Sequence, residues 1–261
     1  MKLILVTSHR RSGTHFLIDT LRLNIKNAIF PNHRYLPSDF NLGSLFSKDQ
    51  KILETFKSLT EKYPIVIIKS HLLPEECNIE NPKDIFENFI KDIYNNSKKI
   101  YIKRDGKDTL VSLYKFLKPS IPFSEFLRQK NDHIVNEIRL EKKIDLNRIL
   151  YWSYHINQWE LDKSVKHCSF SDLKSDFELT VRNVLQFLNC PIIEPLHKPR
   201  IPKNKLLHGL RKKINHYGIG SLPESSSVRP NKGFEKSGVK YFQDKHNLDY
   251  FNKNMNNITI E

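Results

Sequence analysis

The chain alternates short apolar runs with longer segments whose apolar residues recur at helical spacing. The runs are Leu3 to Val6, Ile65 to Ile68 and Ile100 to Ile102. Each is rich in β-branched residues and gives way to basic or polar ones, the pattern of a strand buried on both faces. After the first run, Phe16, Leu17 and Leu21 fall on one helical face. After the third, Leu110, Val111, Tyr114 and Leu117 do the same. Leu146, Ile149, Leu150, Ser153, Ile156 and Trp159 carry the period along a longer helix, and Val181, Val184, Leu185 and Leu188 give another. Strands alternating with helices predict an α/β fold: a central, mostly parallel β-sheet flanked by helices on both faces. No repeat divides the chain, so a single domain over 1–261 is expected. Within it, 198–233 reads as a mobile basic loop region, dense in Lys and Arg and then in Gly, Pro and Ser.

Composition narrows the class. With 261 residues, 38% of them hydrophobic, and 16 Phe and 10 Tyr, the chain is no disordered tail. Its 8 Gly exclude a collagen-like architecture. The 43 Lys and Arg exceed the 29 Asp and Glu by 14, a surplus that attracts anions: nucleic acid, a membrane surface, an acidic glycan or a phosphorylated cofactor. Cys77, Cys168 and Cys190 are widely spaced, which argues against a disulfide framework or zinc site and fits a reducing compartment. No apolar run approaches the roughly 18 residues of a membrane span. The N-terminal run is soon followed by His9, Arg10 and Arg11, so it reads as a strand rather than a signal peptide, and a cytoplasmic location is expected.

Ligands of parallel sheets gather at the carboxyl ends of the strands, and three such ends here carry unusual residues. After the first strand comes Ser8-His9-Arg10-Arg11-Ser12-Gly13-Thr14-His15-Phe16. A strand, a tight basic loop and then a helix is the recipe for a phosphate cradle, with backbone N–H groups and the helix dipole aimed at the anion. It lacks the G-x-x-x-x-G-K-[ST] of nucleotide triphosphatases. After the second strand, His71 follows Lys69 and Ser70, where a histidine can take a proton from a hydroxyl near neutral pH. After the third, Arg104 stands at the strand end and Ser112 about two turns into the next helix, both within reach of a second anion. His155, between Trp152 and Trp159, reads as a packing residue.

These segments resemble the sulfotransferases that use 3′-phosphoadenosine 5′-phosphosulfate (PAPS), the cytosolic branch above all. The family's T-Y-P-K-S-G-T-T-W is similar to Ser8–Phe16, its K-T-H-L-P to Lys69-Ser70-His71-Leu72 with Leu73 inserted before Pro74, and its R-N-P-K-D-V-x-V-S-x-Y to Arg104–Tyr114. Its W-x-x-H-V-x-x-W-W-E resembles Trp152–Glu160, its Y-E-D-M resembles Phe170–Leu173, and its R-K-G resembles Asn231-Lys232-Gly233 with Phe242 beyond. The departures are Arg11 for the loop Lys, Phe16 for the adenine-stacking Trp, Phe170 for Tyr and Asn231 for Arg; Arg229 stands near enough to replace the last. The C-terminal dimer signature of the family is absent, so dimerisation by that route is not supported.

The resemblance implies a P-loop-like fold and metal-free sulfuryl transfer from PAPS to a hydroxyl or amine of a small-molecule or glycan acceptor. It implies no specific nucleic-acid partner. His71 would be the general base, with Arg11 and Lys69 stabilising the transferred group and the departing phosphate. Arg10, Arg11, Ser12, Gly13, Thr14 and His15 would cradle the 5′ end. Arg104 and Ser112 would hold the 3′-phosphate, with Arg229, Lys232 and Gly233 closing over it. Phe16 and Phe170 would sandwich or flank the adenine. Loops at 30–60, 120–145 and 198–230 would read the acceptor. A P-loop kinase-like phosphotransferase shares the opening strand, loop and helix, and a sulfotransferase-like protein without activity would share all of it; a basic nucleic-acid module would explain only the charge.

Overall fold

Strand β1 (Lys2–Thr7) lies in the middle of the sheet because its residues have no polar face to show: Leu3 and Leu5 enter one core, Ile4 and Val6 the other. The computed structural model describes residues 2–29, 40–130, 146–199 and 239–256. In chain order β1 is followed by α1 (Thr14–Asn24), β2 (Ala28–Ile29), a 3-10 turn (Leu42–Ser47), α2 (Gln50–Lys62), β3 (Ile65–Ser70), α3 (Pro74–Cys77) and α4 (Ile85–Asn96). Then come β4 (Ser97–Lys103), α5 (Gly106–Leu117), α6 (Phe123–Arg128), α7 (Arg148–Leu161), β5 (Val165–Ser169), α8 (Phe170–Ser175), α9 (Phe177–Leu188) and α10 (Lys245–Asn256).

The sheet order is β2-β3-β1-β4-β5, with every pairing parallel. Lys2 pairs with Ile65 and Thr7 with Ser70, so β1 and β3 end level. That register sets the loop after β1 beside the loop after β3. Thr7 is likewise level with Tyr101, so β4 continues for two residues beyond β1 before Arg104.

One face of the sheet is covered by α2, α4 and part of α7 through Ile52, Leu53, Phe56, Ile90, Ile93 and Trp159. The other is covered by α1 and α9 through Leu17, Ile18, Leu21, Val181, Val184 and Leu185. A third cluster joins α5, α6, α7 and α10 through Leu110, Phe126, Ile149, Trp152 and Phe251, with Phe242 from the segment before α10. Each such buried side chain contributes about 1.5–3 kcal/mol relative to exposure. Gly106 permits the closest approach in this cluster: a Cβ there would lie 2.8 Å from the Trp152 ring.

Several helices begin at short oxygen-bearing side chains. Asp49 accepts from Lys51 N at 2.9 Å, Asp84 from Phe86 N and Glu87 N at 3.0 Å, Asp105 from Asp108 N at 3.0 Å, and Asn147 from Ile149 N and Leu150 N at 3.0 Å. Two of the expected acceptor-reading loops contain helix: α2 lies largely within 30–60 and α6 within 120–145. Apart from Lys198 and Pro199, the expected loop region 198–233 lies outside the described residues. No helix among the described residues is long and apolar enough to cross a membrane.

Candidate active site

The β1–α1 loop departs from ordinary backbone at Arg11 (φ 70°) and Gly13 (φ 102°), on either side of Ser12. Ser12 N–H donates to His9 O at 3.3 Å, closing the loop into a tight turn, and the N–H groups that follow such a turn form a concave anion nest. Gly13 is the N-cap of α1 and supplies no side-chain cap, which leaves the first-turn N–H groups to whatever lies beyond the helix end. A Cβ on Gly13 would come within 2.3 Å of the Phe170 ring, so glycine is required both for its φ and for space. Ser12 and Thr14 are buried, and Thr14 Oγ1 is 2.6 Å from Ser8 Oγ. Arg10 and His15 flank this cradle, at the loop and in the first helical turn.

β3 runs through Ser70, two residues past the apolar run, so Lys69 lies within the strand and is buried, its N–H donating to Phe40 O at 2.8 Å. His71 follows at once. Its Nδ1 is 2.8 Å from the Ser8 carbonyl, which can only accept, so Nδ1 carries the proton. Burial, then the positive charges of Lys69 and Arg10, hold the His71 pKa well below its usual value. The ring is therefore neutral at pH 7, with Nε2 unprotonated and, among the described residues, without a hydrogen-bond partner. The segment is held from behind: His155 Nε2 lies 3.2 Å from His71 O, and Trp159 Nε1 donates to Leu72 O at 3.0 Å.

Arg104 is the first residue after β4. Nη1 donates to Arg11 O at 3.4 Å, Nη2 to Asp108 Oδ2 at 3.4 Å, and the guanidinium carbon lies 4.9 Å from the Phe170 ring centroid. Nε is buried without a partner. Arg11 turns toward α5: its Nε donates to Ser112 Oγ at 3.2 Å and its guanidinium covers Phe116 at 4.7 Å. Arg11 is expected both in the cradle and at the departing phosphate with Lys69; its side chain lies on Ser112, the residue expected at the 3′-phosphate. The direction is set by a hydroxyl and a ring on α5 that no local pattern reveals.

Phe16 and Phe170 meet edge to face, with centroids 6.1 Å apart and planes at 82°. Rings so disposed leave no parallel slot between them, so they suit flanking a base rather than enclosing one. Arg229, Asn231, Lys232 and Gly233 lie outside the described residues. Phe242 packs against Phe123 and Phe251 at 5.3 and 5.5 Å, inside the third core cluster. A cavity of about 360 Å³ on the α7 side of Arg104 is lined by Lys103, Trp152, Ser153 and Asn157, and nothing in the sequence pattern marks it.

A family model described as the sulfotransferase domain matches residues 2–207. The chain belongs to the sulfotransferase family. Solved sulfotransferase-fold structures agree. Mouse sulfotransferase SULT7A1, complexed with PAP, superposes with a TM-score of 0.53 at 18% identity, covering 98% of this chain and 84% of its own. Retinol dehydratase, in a complex with retinol and PAP, gives 0.55 at 15% identity, covering 100% and 84%. At such identities the likeness establishes the fold. No curated protein matches the sequence significantly. In this sulfotransferase, the parallel sheet thus brings together a backbone nest, a neutral histidine following a buried lysine, and two arginines in contact, one of them also on Ser112. Tyr101, whose place within an apolar run gives no sign of a polar role, has its hydroxyl 3.0 Å from His155 Nδ1.

Proposed function

We propose that the protein transfers a sulfuryl group from PAPS to a hydroxyl or amine of a small-molecule or glycan acceptor, with His71 as general base. The observation that carries this reading is the neutral His71 ring, bare at Nε2, beside the β1–α1 nest. The site also fits the co-substrate's two separated anionic ends. The buried, partnerless Nε of Arg104 and the nest around Ser12 each call for an anion, and they lie in different loops.

When bound, PAPS supplies the activated sulfuryl group. The chain's own residues do the rest. Ser12, Gly13, Thr14 and His15 hold the 5′ end through N–H and hydroxyl donors, with Arg10 beside them. Arg104, Ser112 and Arg11 hold the 3′-phosphate, Arg11 serving this end because its side chain already lies on Ser112. Phe16 and Phe170 flank the adenine. As the acceptor atom bonds to sulfur and the bond from sulfur to the 5′-phosphate oxygen breaks to leave PAP, His71 Nε2 takes the acceptor's proton and Lys69 opposes the negative charge that builds on the departing phosphate.

Incubation with [³⁵S]PAPS and a panel of alcohols, amines and oligosaccharides tests this. The expected result is label in one acceptor class and a loss of roughly 10²–10⁴-fold in turnover in His71→Ala, the usual contribution of a general base. Full turnover in His71→Ala would remove His71 from that role.

A further inference from the structure

Two buried polar side chains behind His71 have no part in the chemistry above. Tyr101 in β4 and His155 in α7 are both 0% exposed. His9 N–H donates to Tyr101 Oη at 3.3 Å, and Tyr101 Oη lies 3.0 Å from His155 Nδ1. His155 Nε2 lies 3.2 Å from His71 O, and His71 Nδ1 lies 2.8 Å from Ser8 O. The first donor and the last acceptor belong to one peptide group, the bond between Ser8 and His9. The four contacts therefore close into a ring.

The ring can run in only one sense. A backbone N–H only donates and a carbonyl oxygen only accepts. His155 must carry its proton on Nε2 to reach the His71 carbonyl, so its Nδ1 accepts and the Tyr101 hydroxyl donates. His71 must carry its proton on Nδ1 to reach Ser8. Burial keeps His155 neutral, with its pKa lowered to about 4, so it has one ring proton to place. The Ser8–His9 amide, the Tyr101 hydroxyl and the His155 ring each accept and donate in the same sense, so the bonds they share polarise one another; at His71 the path runs from backbone carbonyl to ring through saturated carbons, so the link there is one of position. Two buried polar groups at this depth are costly unless fully paired, and here the donors and acceptors of the ring pair one another.

We propose that Tyr101 and His155 are positioning residues: by tying the His71 backbone to the β1–α1 loop they keep Nδ1 on the Ser8 carbonyl, and so keep the tautomer that leaves Nε2 bare. The catalytic meaning of that tautomer rests on the reading of His71 as base; the ring itself does not.

The test is long-range ¹H–¹⁵N correlation on histidine-labelled protein, with His71 assigned by its loss in His71→Ala. The wild type should show His71 protonated on Nδ1. Tyr101→Phe deletes one oxygen and two links, and His155→Phe deletes the two links made by the imidazole. Each should move the His71 Nε2 resonance toward the protonated range, while PAP affinity by calorimetry changes less than about threefold. His155→Gln, which keeps a donor near the position of Nε2, should restore part of the wild-type shift. Once an acceptor is found, kcat in Tyr101→Phe should fall ~10–100-fold with KM for PAPS unchanged, the scale on which supporting hydrogen bonds act. Retention of the Nδ1 tautomer in Tyr101→Phe, with thermal stability alone reduced, would overturn the proposal, even if His155→Phe does not fold. A wild-type His71 protonated on Nε2 would overturn it whether or not PAP binds. Failure of PAP binding, or full turnover in His71→Ala, would instead strike the proposed function and leave the tautomer result standing.

Discussion

In the proposed function His71 is available as a base because its surroundings keep the ring unprotonated, and not because a carboxylate partner strengthens it. Burial, Lys69 and Arg10 all push its proton affinity down, so the base form is already present well below the usual histidine range. The acid limb of transfer should therefore lie well below pH 6.5, with the rate level between pH 6.5 and 8; a half-loss at 6.5 would mean that the ring titrates as if exposed. Gly13 is the other decisive residue. Gly13→Ala meets both a φ of 102° and Phe170 at 2.3 Å, and should weaken PAP binding at least tenfold, on the order of the ~1–3 kcal/mol that a strained backbone position costs. Unchanged affinity in a calorimetric titration would count against the nest. The candidates at all three loops were legible in the sequence because each follows an apolar run directly. The direction of Arg11 was not, because it is decided by Ser112, 101 residues away, and neither was the edge-on meeting of the two phenylalanines.

At the level of elements, legibility followed apolarity. β1, β3 and β4 contain unbroken apolar runs, and the structure lengthens each of them by polar residues held in register by the neighbouring strand. β5, Val-Lys-His-Cys-Ser, buries only Val165 and Cys168; it is a strand because β4 offers it an edge, which local sequence cannot reveal. β2 has two residues and no pattern to read. α2 carries the stripe Ile52, Leu53, Phe56 and Leu59, but with so short a strand before it nothing marked the unit. α7 is the element on which the His71 support depends, and Asn147 secures its start. Its Oδ1 caps two N–H groups, while Nδ2 reaches Asn254 Oδ1 at 2.8 Å and Tyr250 Oη at 3.2 Å on α10. Asn147→Ala should destabilise the protein by about 1–2 kcal/mol, read as a lower urea midpoint at constant slope; an unchanged midpoint would show that α7 does not rely on this cap.

Over the whole molecule, the α/β class was readable from the alternation of runs and helical stripes, whereas the order β2-β3-β1-β4-β5 arises from crossovers that leave no local trace. Protons act on this scale as well. His9, His71 and His155 all have folded pKa values below 6.5, mainly through burial. As pH falls through 6.5, the unfolded chain takes up protons that the folded protein refuses, and each such group lowers stability by up to ~1.4 kcal/mol per pH unit. Glu76, raised by burial to about 7, has the opposite sign between about 4.5 and 7 and offsets one histidine. The melting temperature should therefore fall from pH 7 to pH 5, and a constant or rising value would contradict the neutral buried histidines. The central claim, a two-ended anion site built for a 3′-phosphorylated nucleotide, is tested most directly by calorimetric titration with PAP (adenosine 3′,5′-diphosphate) beside ATP with Mg²⁺. The account predicts micromolar or tighter binding of PAP without added metal, lost in Arg104→Ala. A preference for ATP with Mg²⁺, or no binding of either nucleotide, would contradict it.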